Sequence, residues 1–168
     1  MKEYNDYVNL TRSWLKSYND FKSSIQIMNS DLKTLEAEIE IANNIAVPPI
    51  AKYSSEPGGG TSELNTVETA AAKLIKLKSN IERLKNDQLE INRILSKIDI
   101  AIEALNSDEI CLIRGHYINS ESWRALGHKL CYSEEWARKK GGIALKRMAL
   151  MLWGVKAMPQ QLKFVFAR

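Results

Sequence analysis

The sequence predicts an all-α protein: a long N-terminal antiparallel helical hairpin, coiled-coil-like, over residues 1–105, then a three-helix domain of helix-turn-helix form over residues 106–154. Three observations carry this. Two long stretches repeat apolar residues alternately three and four positions apart, the a/d spacing of heptads. A Pro- and Gly-rich segment separates them, and positive charge gathers after residue 105.

The first stripe is Tyr4, Tyr7, Thr11, Trp14, Tyr18, Phe21, Ile25, Met28, Leu32, Leu35, Ile39 and Ala42, with Thr11 its single polar member. It predicts one helix roughly 60 Å long at 1.5 Å per residue. Val47-Pro48-Pro49 ends it, because proline lacks the backbone donor and disfavours helix before it. Pro57-Gly58-Gly59-Gly60 lies in a flexible segment, so the turn is expected at about 47–63. The second helix is expected to start at Asn65, a cap-type residue with Glu68 three positions on. Its stripe is Val67, Ala70, Leu74, Leu77, Ile81, Leu84, Gln88, Ile91, Leu95, Ile98, Ile102 and Leu105. The two stripes can close on each other or on a second subunit. Gln88 reads equally as a register-fixing polar core residue and as a tolerated glutamine reaching solvent.

After Leu105 the periods shorten. Asn106-Ser107-Asp108-Glu109 has the form of a capping box, ahead of a short helix with Ile110, Ile113 and Tyr117 on one side. Ile118-Asn119-Ser120 turns the chain. Trp123, Leu126, Gly127 and Leu130 share one face of a second short helix, in which Gly127 is small where helices cross. Cys131-Tyr132 turns again, and Ser133 caps a third helix that buries Ala137, Ala144, Leu145 and Met148. Residues 1–105 hold 13 Lys/Arg against 15 Asp/Glu, whereas 106–168 hold 11 against 5. Such asymmetry points the C-terminal third at a polyanion. Residues 155–168 form a tail with no role legible in the sequence.

Other chemistry is not indicated. No run of about 18 uncharged apolar residues exists, so no membrane span is expected. The start, Met1-Lys2-Glu3-Tyr4-Asn5-Asp6, does not have the form of a secretory leader. Cys111 and Cys131 lack the paired spacing of a zinc site, and His116 and His128 form no metal-binding pair. Neither G-x-x-x-x-G-K-S/T, nor G-x-G-x-x-G after a strand, nor H-E-x-x-H occurs. A non-enzymatic protein without cofactor or metal is expected.

Ser122-Trp123-Arg124-Ala125-Leu126-Gly127-His128-Lys129-Leu130-Cys131-Tyr132-Ser133 resembles the first helix and turn of sigma-factor region four, and Ile143-Ala144-Leu145-Lys146-Arg147-Met148 resembles its close. As a whole, the chain to about residue 154 resembles the RinA/ArpU-like phage transcriptional regulators. The shared features are the tyrosine-rich first helix, the Gly58-Gly59-Gly60 turn, Ile98 to Leu105, Trp123, Tyr132-Ser133-Glu134 and Leu152-Trp153-Gly154. The resemblance implies a sequence-specific activator of late phage genes, in a bacterial cytoplasm, that binds double-stranded promoter DNA; RNA polymerase is a further candidate partner. The resemblance to region four maps the DNA contacts onto Glu134, Glu135, Arg138 and Lys139. Lys140 and Lys146 extend the basic face. Glutamate can accept from cytosine N4 and arginine can grip guanine O6 and N7. The competing readings are helix-dipole compensation for Glu134 and Glu135, and a solvated basic face for the cations. Trp136 reads as DNA-facing or as packing.

Two departures from the region-four pattern carry expectations. Cys131 stands where such turns often have glycine, which predicts strained backbone. Gly141-Gly142 inside the third helix predicts a bend or fraying. A homodimer is expected, because a lone hairpin would leave the rings of its first helix uncovered. Two other functions fit the pattern: a DNA-packaging protein of the small-terminase kind, and an adaptor that binds RNA polymerase or a sigma factor.

Overall fold

The computed structural model describes residues 3–45 and 62–158, and every regular element among them is helical. The elements are α1 (Glu3–Lys16), α2 (Tyr18–Ile45), α3 (Ser62–Glu103), α4 (Ser107–Ile113), α5 (Trp123–Lys129) and α6 (Glu134–Trp153). A π-helical turn, Arg114–Ile118, prolongs α4, and a 3-10 turn, Gly154–Ala157, follows α6. None of these helices is long and apolar enough to cross a membrane. The expected turn falls almost wholly outside the described residues, as does the tail beyond Met158. Helix α3 starts at Ser62, so Asn65 lies inside it rather than capping it. Glu63 and Leu64 are good helix formers, and nothing between Ser62 and Asn65 breaks the pattern.

By their contacts the residues form two compact units, 23–92 and 1–22 with 93–168. This is not the division at 105/106 that the charge split suggested. In the unit 23–92, most of the predicted stripes hold: Ile25, Met28, Leu32, Leu35, Ile39 and Ala42 on α2 are all at least half-buried, as are Leu74, Leu77, Ile81, Leu84 and Ile91 on α3, whereas Ala70 is exposed. Gln88 Nε2 donates to Asn29 Oδ1 at 2.7 Å, and Lys85 Nζ meets Glu36 Oε1 at 3.2 Å. As α2 ascends in number its partners descend, so the two helices run antiparallel here. Gln88 thus finds a polar partner across the seam. The exposed Lys85–Glu36 pair adds at most about 1 kcal/mol.

The other unit draws α1 away from a purely coiled-coil role. Helical hydrogen bonding continues from α1 into α2 past Ser17, whose N–H reaches Ser13 O and whose carbonyl accepts from Phe21 N. Yet α1 packs against α6, α4's π-turn and the 3-10 turn. Trp153, the last residue of α6, is the anchor. Its ring lies 5.5 Å from that of Tyr7 and 4.7 Å from that of Trp14, and its Nε1–H donates to Thr11 Oγ1 at 3.1 Å. Thr11 is fully buried and donates in turn to Tyr7 O at 2.8 Å. The one polar residue in the first stripe is therefore an acceptor for an indole. Leu15, off the stripe, is also fully buried, so the apolar face of α1 is wider than a coiled-coil seam.

Tyr18 is buried, donates to Asp99 Oδ1 at 2.7 Å and carries Lys22 Nζ 4.6 Å above its ring. The rings of Tyr7, Trp14 and Tyr18, expected to drive a dimer, are thus covered within the chain.

Replacing Thr11 by Val keeps the shape and leaves the Trp153 N–H without its acceptor. Thr11→Val is expected to lower unfolding free energy by about 1–2 kcal/mol in urea titration, with Thr11→Ser close to wild type. Equal stability of Thr11→Val and wild type would contradict the role given to this hydrogen bond.

Candidate nucleic-acid interface

The turn between α5 and α6 is built by caps at both ends. Ser122 Oγ accepts from Ala125 N at 3.2 Å and opens α5. At the other end, Cys131 N donates to His128 O at 3.2 Å and Tyr132 N to Gly127 O at 2.8 Å. This nested pair is a Schellman motif, and the residue that it places in the left-handed region is Cys131, at φ 60°. The strain expected there is present, on the order of 1–2 kcal/mol for a residue with a Cβ. A Cβ on Gly127 would come within 2.9 Å of Tyr132 O, so glycine is needed where the chain doubles back over α5. Ser133 Oγ then accepts from Trp136 N at 3.1 Å and starts α6.

One side of α6 is buried: Ala137, Gly141, Ala144, Leu145, Met148 and Ala149. Ala137 closes a small core with Leu112 and Leu126, against which Cys111, Trp123, Leu130 and Trp136 pack. Trp136 also stacks on Tyr132, centroids 3.8 Å apart. Trp123 stacks on His116 at 3.7 Å, and its ring edge lies where a Cβ on Gly141 would be, 2.5 Å away. Gly141 therefore lets the indole approach α6, and the helix runs through it unbroken to Trp153. The fraying expected at Gly141-Gly142 does not occur: the helix continues past both glycines, with the Trp123 ring lying in the gap left by the missing side chain of Gly141.

The sequence-predicted contacts separate in space. Glu134, Glu135, Arg138, Lys139 and Lys146 are exposed. Glu134 Oε1 holds Arg138 Nη2 at 2.8 Å, one helical turn away. Lys140 points elsewhere: its ammonium meets Glu109 Oε1 at 3.1 Å. Glu109 is buried, and its Oε2 also takes Arg147 Nη1 at 3.2 Å and Asn106 N at 3.4 Å. Two cations of α6 thus compensate a carboxylate that the sequence presented only as a cap. Lys140 is withdrawn from the outward basic face for that reason.

Beside Arg138 lies a cavity of about 310 Å³ lined by Arg12, Lys16, His116, Tyr117, Trp123, Arg138 and Gly142. Burial pushes the Tyr117 phenol above its ordinary value of 10.0, while the Arg12 guanidinium, close by and hydrogen-bonded to it, pulls the other way. His116 Nδ1 lies 2.9 Å from Glu121 O; since a carbonyl only accepts, that nitrogen carries the proton. Sequence reasoning missed Arg12 and Lys16. They share a helix face by their spacing of four, but the sequence did not reveal that α1 lies against α6.

Comparison with protein-family models, curated proteins and solved structures finds no match for this chain.

The two adjacent glycines of α6 should respond oppositely to alanine. Gly141→Ala drives a methyl into Trp123 and is expected to cost about 1–3 kcal/mol despite its better helix propensity. A Cβ at Gly142 meets nothing within 4 Å, so Gly142→Ala is expected to gain about 0.5–1 kcal/mol. Thermal unfolding of both variants checks the pair, and stabilisation by Gly141→Ala would contradict the packing described.

Proposed function

We propose that the protein is a non-enzymatic transcriptional regulator that binds double-stranded DNA through α5, its turn and α6, used as a helix-turn-helix with α6 as the recognition helix. The observation that carries this reading is the division of α6 into two sides. Ala137, Ala144, Leu145 and Met148 are buried, while Glu134, Glu135, Arg138, Lys139 and Lys146 face outward beyond a capped turn. A short helix, a tight turn and a longer helix with polar residues in its first turns is the arrangement that enters a major groove. The excess of positive charge after residue 105 supplies the sequence-independent part of the affinity.

In this reading Arg138 and Lys139 meet base edges or phosphates, Glu135 is free to accept from cytosine, and Glu134 holds the Arg138 guanidinium in place. Lys146 lies two turns further along and reaches the backbone. Lys140 is a structural residue. The resemblance to RinA/ArpU-like regulators makes late phage promoters the expected targets.

The test is fluorescence anisotropy of the full chain with duplex fragments from its own genome, over a series of salt concentrations. A residue that reads a base should cost about 1–3 kcal/mol on substitution by alanine and relax preference at one position. One that meets a phosphate should reduce the salt slope by about one unit on every sequence. Arg138→Ala and Lys139→Ala are each expected to show one of these signatures. Lys140→Met should lower thermal stability and leave the slope unchanged. Full affinity in both Arg138→Ala and Lys139→Ala, with the fold intact, would remove α6 from any DNA interface and favour a protein-binding adaptor.

A further inference from the structure

Arg12, Lys16 and Arg138 come from opposite ends of the sequence and line one cavity, with no carboxylate side chain among its lining residues. Gathering three cations costs repulsion that a nearby anion removes. The local partners leave much of this charge unanswered. Arg12 gives one guanidinium nitrogen to Asn9 Oδ1 at 3.0 Å and bonds the Tyr117 phenol, while Arg138 gives one to Glu134. A guanidinium has five N–H donors, so both keep donors to offer. Lys16 is exposed. The wall at Gly142 is open, since a Cβ there would touch nothing within 4 Å. The floor is rigid: Trp123 is stacked on His116, whose ring is fixed by its bond to Glu121 O.

We propose that this cavity seats a phosphate group, and that the phosphate belongs to the backbone of the duplex whose bases meet α6. The proposal rests on the DNA-binding reading above. What selects a duplex over a free phosphate compound is Arg138, which belongs both to the cavity and to the outward face of α6. A strand crossing that face would bring a phosphate past α1. The first helix then becomes part of the DNA interface, although residues 1–105 as a whole carry a slight negative charge.

Two measurements on the full chain test this. The first is the salt slope of duplex binding for wild type, Lys16→Gln, Arg12→Gln and, as a control of equal charge change, Lys78→Gln on the exposed side of α3. The second is the shift of the Trp123 indole N–H resonance on titration with inorganic phosphate. The expected result is a slope about one unit smaller in Lys16→Gln and Arg12→Gln but not in Lys78→Gln. A phosphate-dependent Trp123 shift that Lys16→Gln abolishes is expected beside it. A wild type that binds duplex, with an unchanged slope in both cavity variants, overturns the proposal. A Trp123 resonance that ignores phosphate overturns the cavity as an anion site. Loss of the Trp123 shift in Lys16→Gln, with no duplex binding by wild type, overturns the duplex as the source and assigns the cavity to a free phosphate compound.

Discussion

The seating of Trp153 against α1 is the contact on which the C-terminal helices depend. It ties the last turn of α6 to the first helix of the chain through two rings and one buried hydrogen bond to Thr11. Helix α6 also packs against α4 and α5, in part through the small Leu112–Leu126–Ala137 core. With α1 in place, α6 is packed from two directions and its remaining side is free to meet solvent or a partner. Gly154, at φ 59°, stops the helix immediately after the anchoring indole.

Several local costs along α5 and α6 make sense as conditions of that placement. Cys131 accepts a left-handed backbone so that the turn can close in a Schellman motif. Gly141 gives up helix propensity so that Trp123 can lie across α6. Glu109 is a buried carboxylate, which would be expensive alone but is met by Lys140, Arg147 and the Asn106 amide. Each device fixes how far α6 stands from α4 and α5. Together they set which residues of α6 point outward, and that separation supports the reading of Glu134 to Lys139 as a DNA-facing row.

Much of the architecture was legible because hydrophobic period and capping chemistry are local. Most of the a/d stripes and Ser133 as a cap follow from residues within a turn or two of each other, the strain at Cys131 from the region-four resemblance, whereas Gly127, read as a helix crossing, is needed under the turn backbone of Tyr132 and Ser133. What was not legible depends on partners distant in sequence. Heptad spacing in Tyr7–Tyr18 says that one face is apolar, not whether α3, α6 or another subunit covers it. Hence Thr11 read only as the one polar member of a seam, not as an acceptor for Trp153. Lys140 read as outward because its neighbours in sequence are, while Glu109, its partner, lies 31 positions earlier. Gly141 read as a weak point since nothing nearby in the chain announces Trp123. The candidate interface was half visible for the same reason: α6 supplied its cations in one run, whereas Arg12 and Lys16 joined them only through the fold.

If α6 and the adjoining face of α1 receive a duplex, the footprint on the protein is defined before any single residue is altered. Amide hydrogen exchange of the full chain, followed by mass spectrometry with and without a tightly bound duplex, reads that footprint directly. The account predicts added protection in Glu134–Lys146 and in Arg12–Lys16, with α3 between Leu77 and Asn92 unchanged. Protection confined to residues 23–92, or none at a saturating duplex concentration, would contradict it.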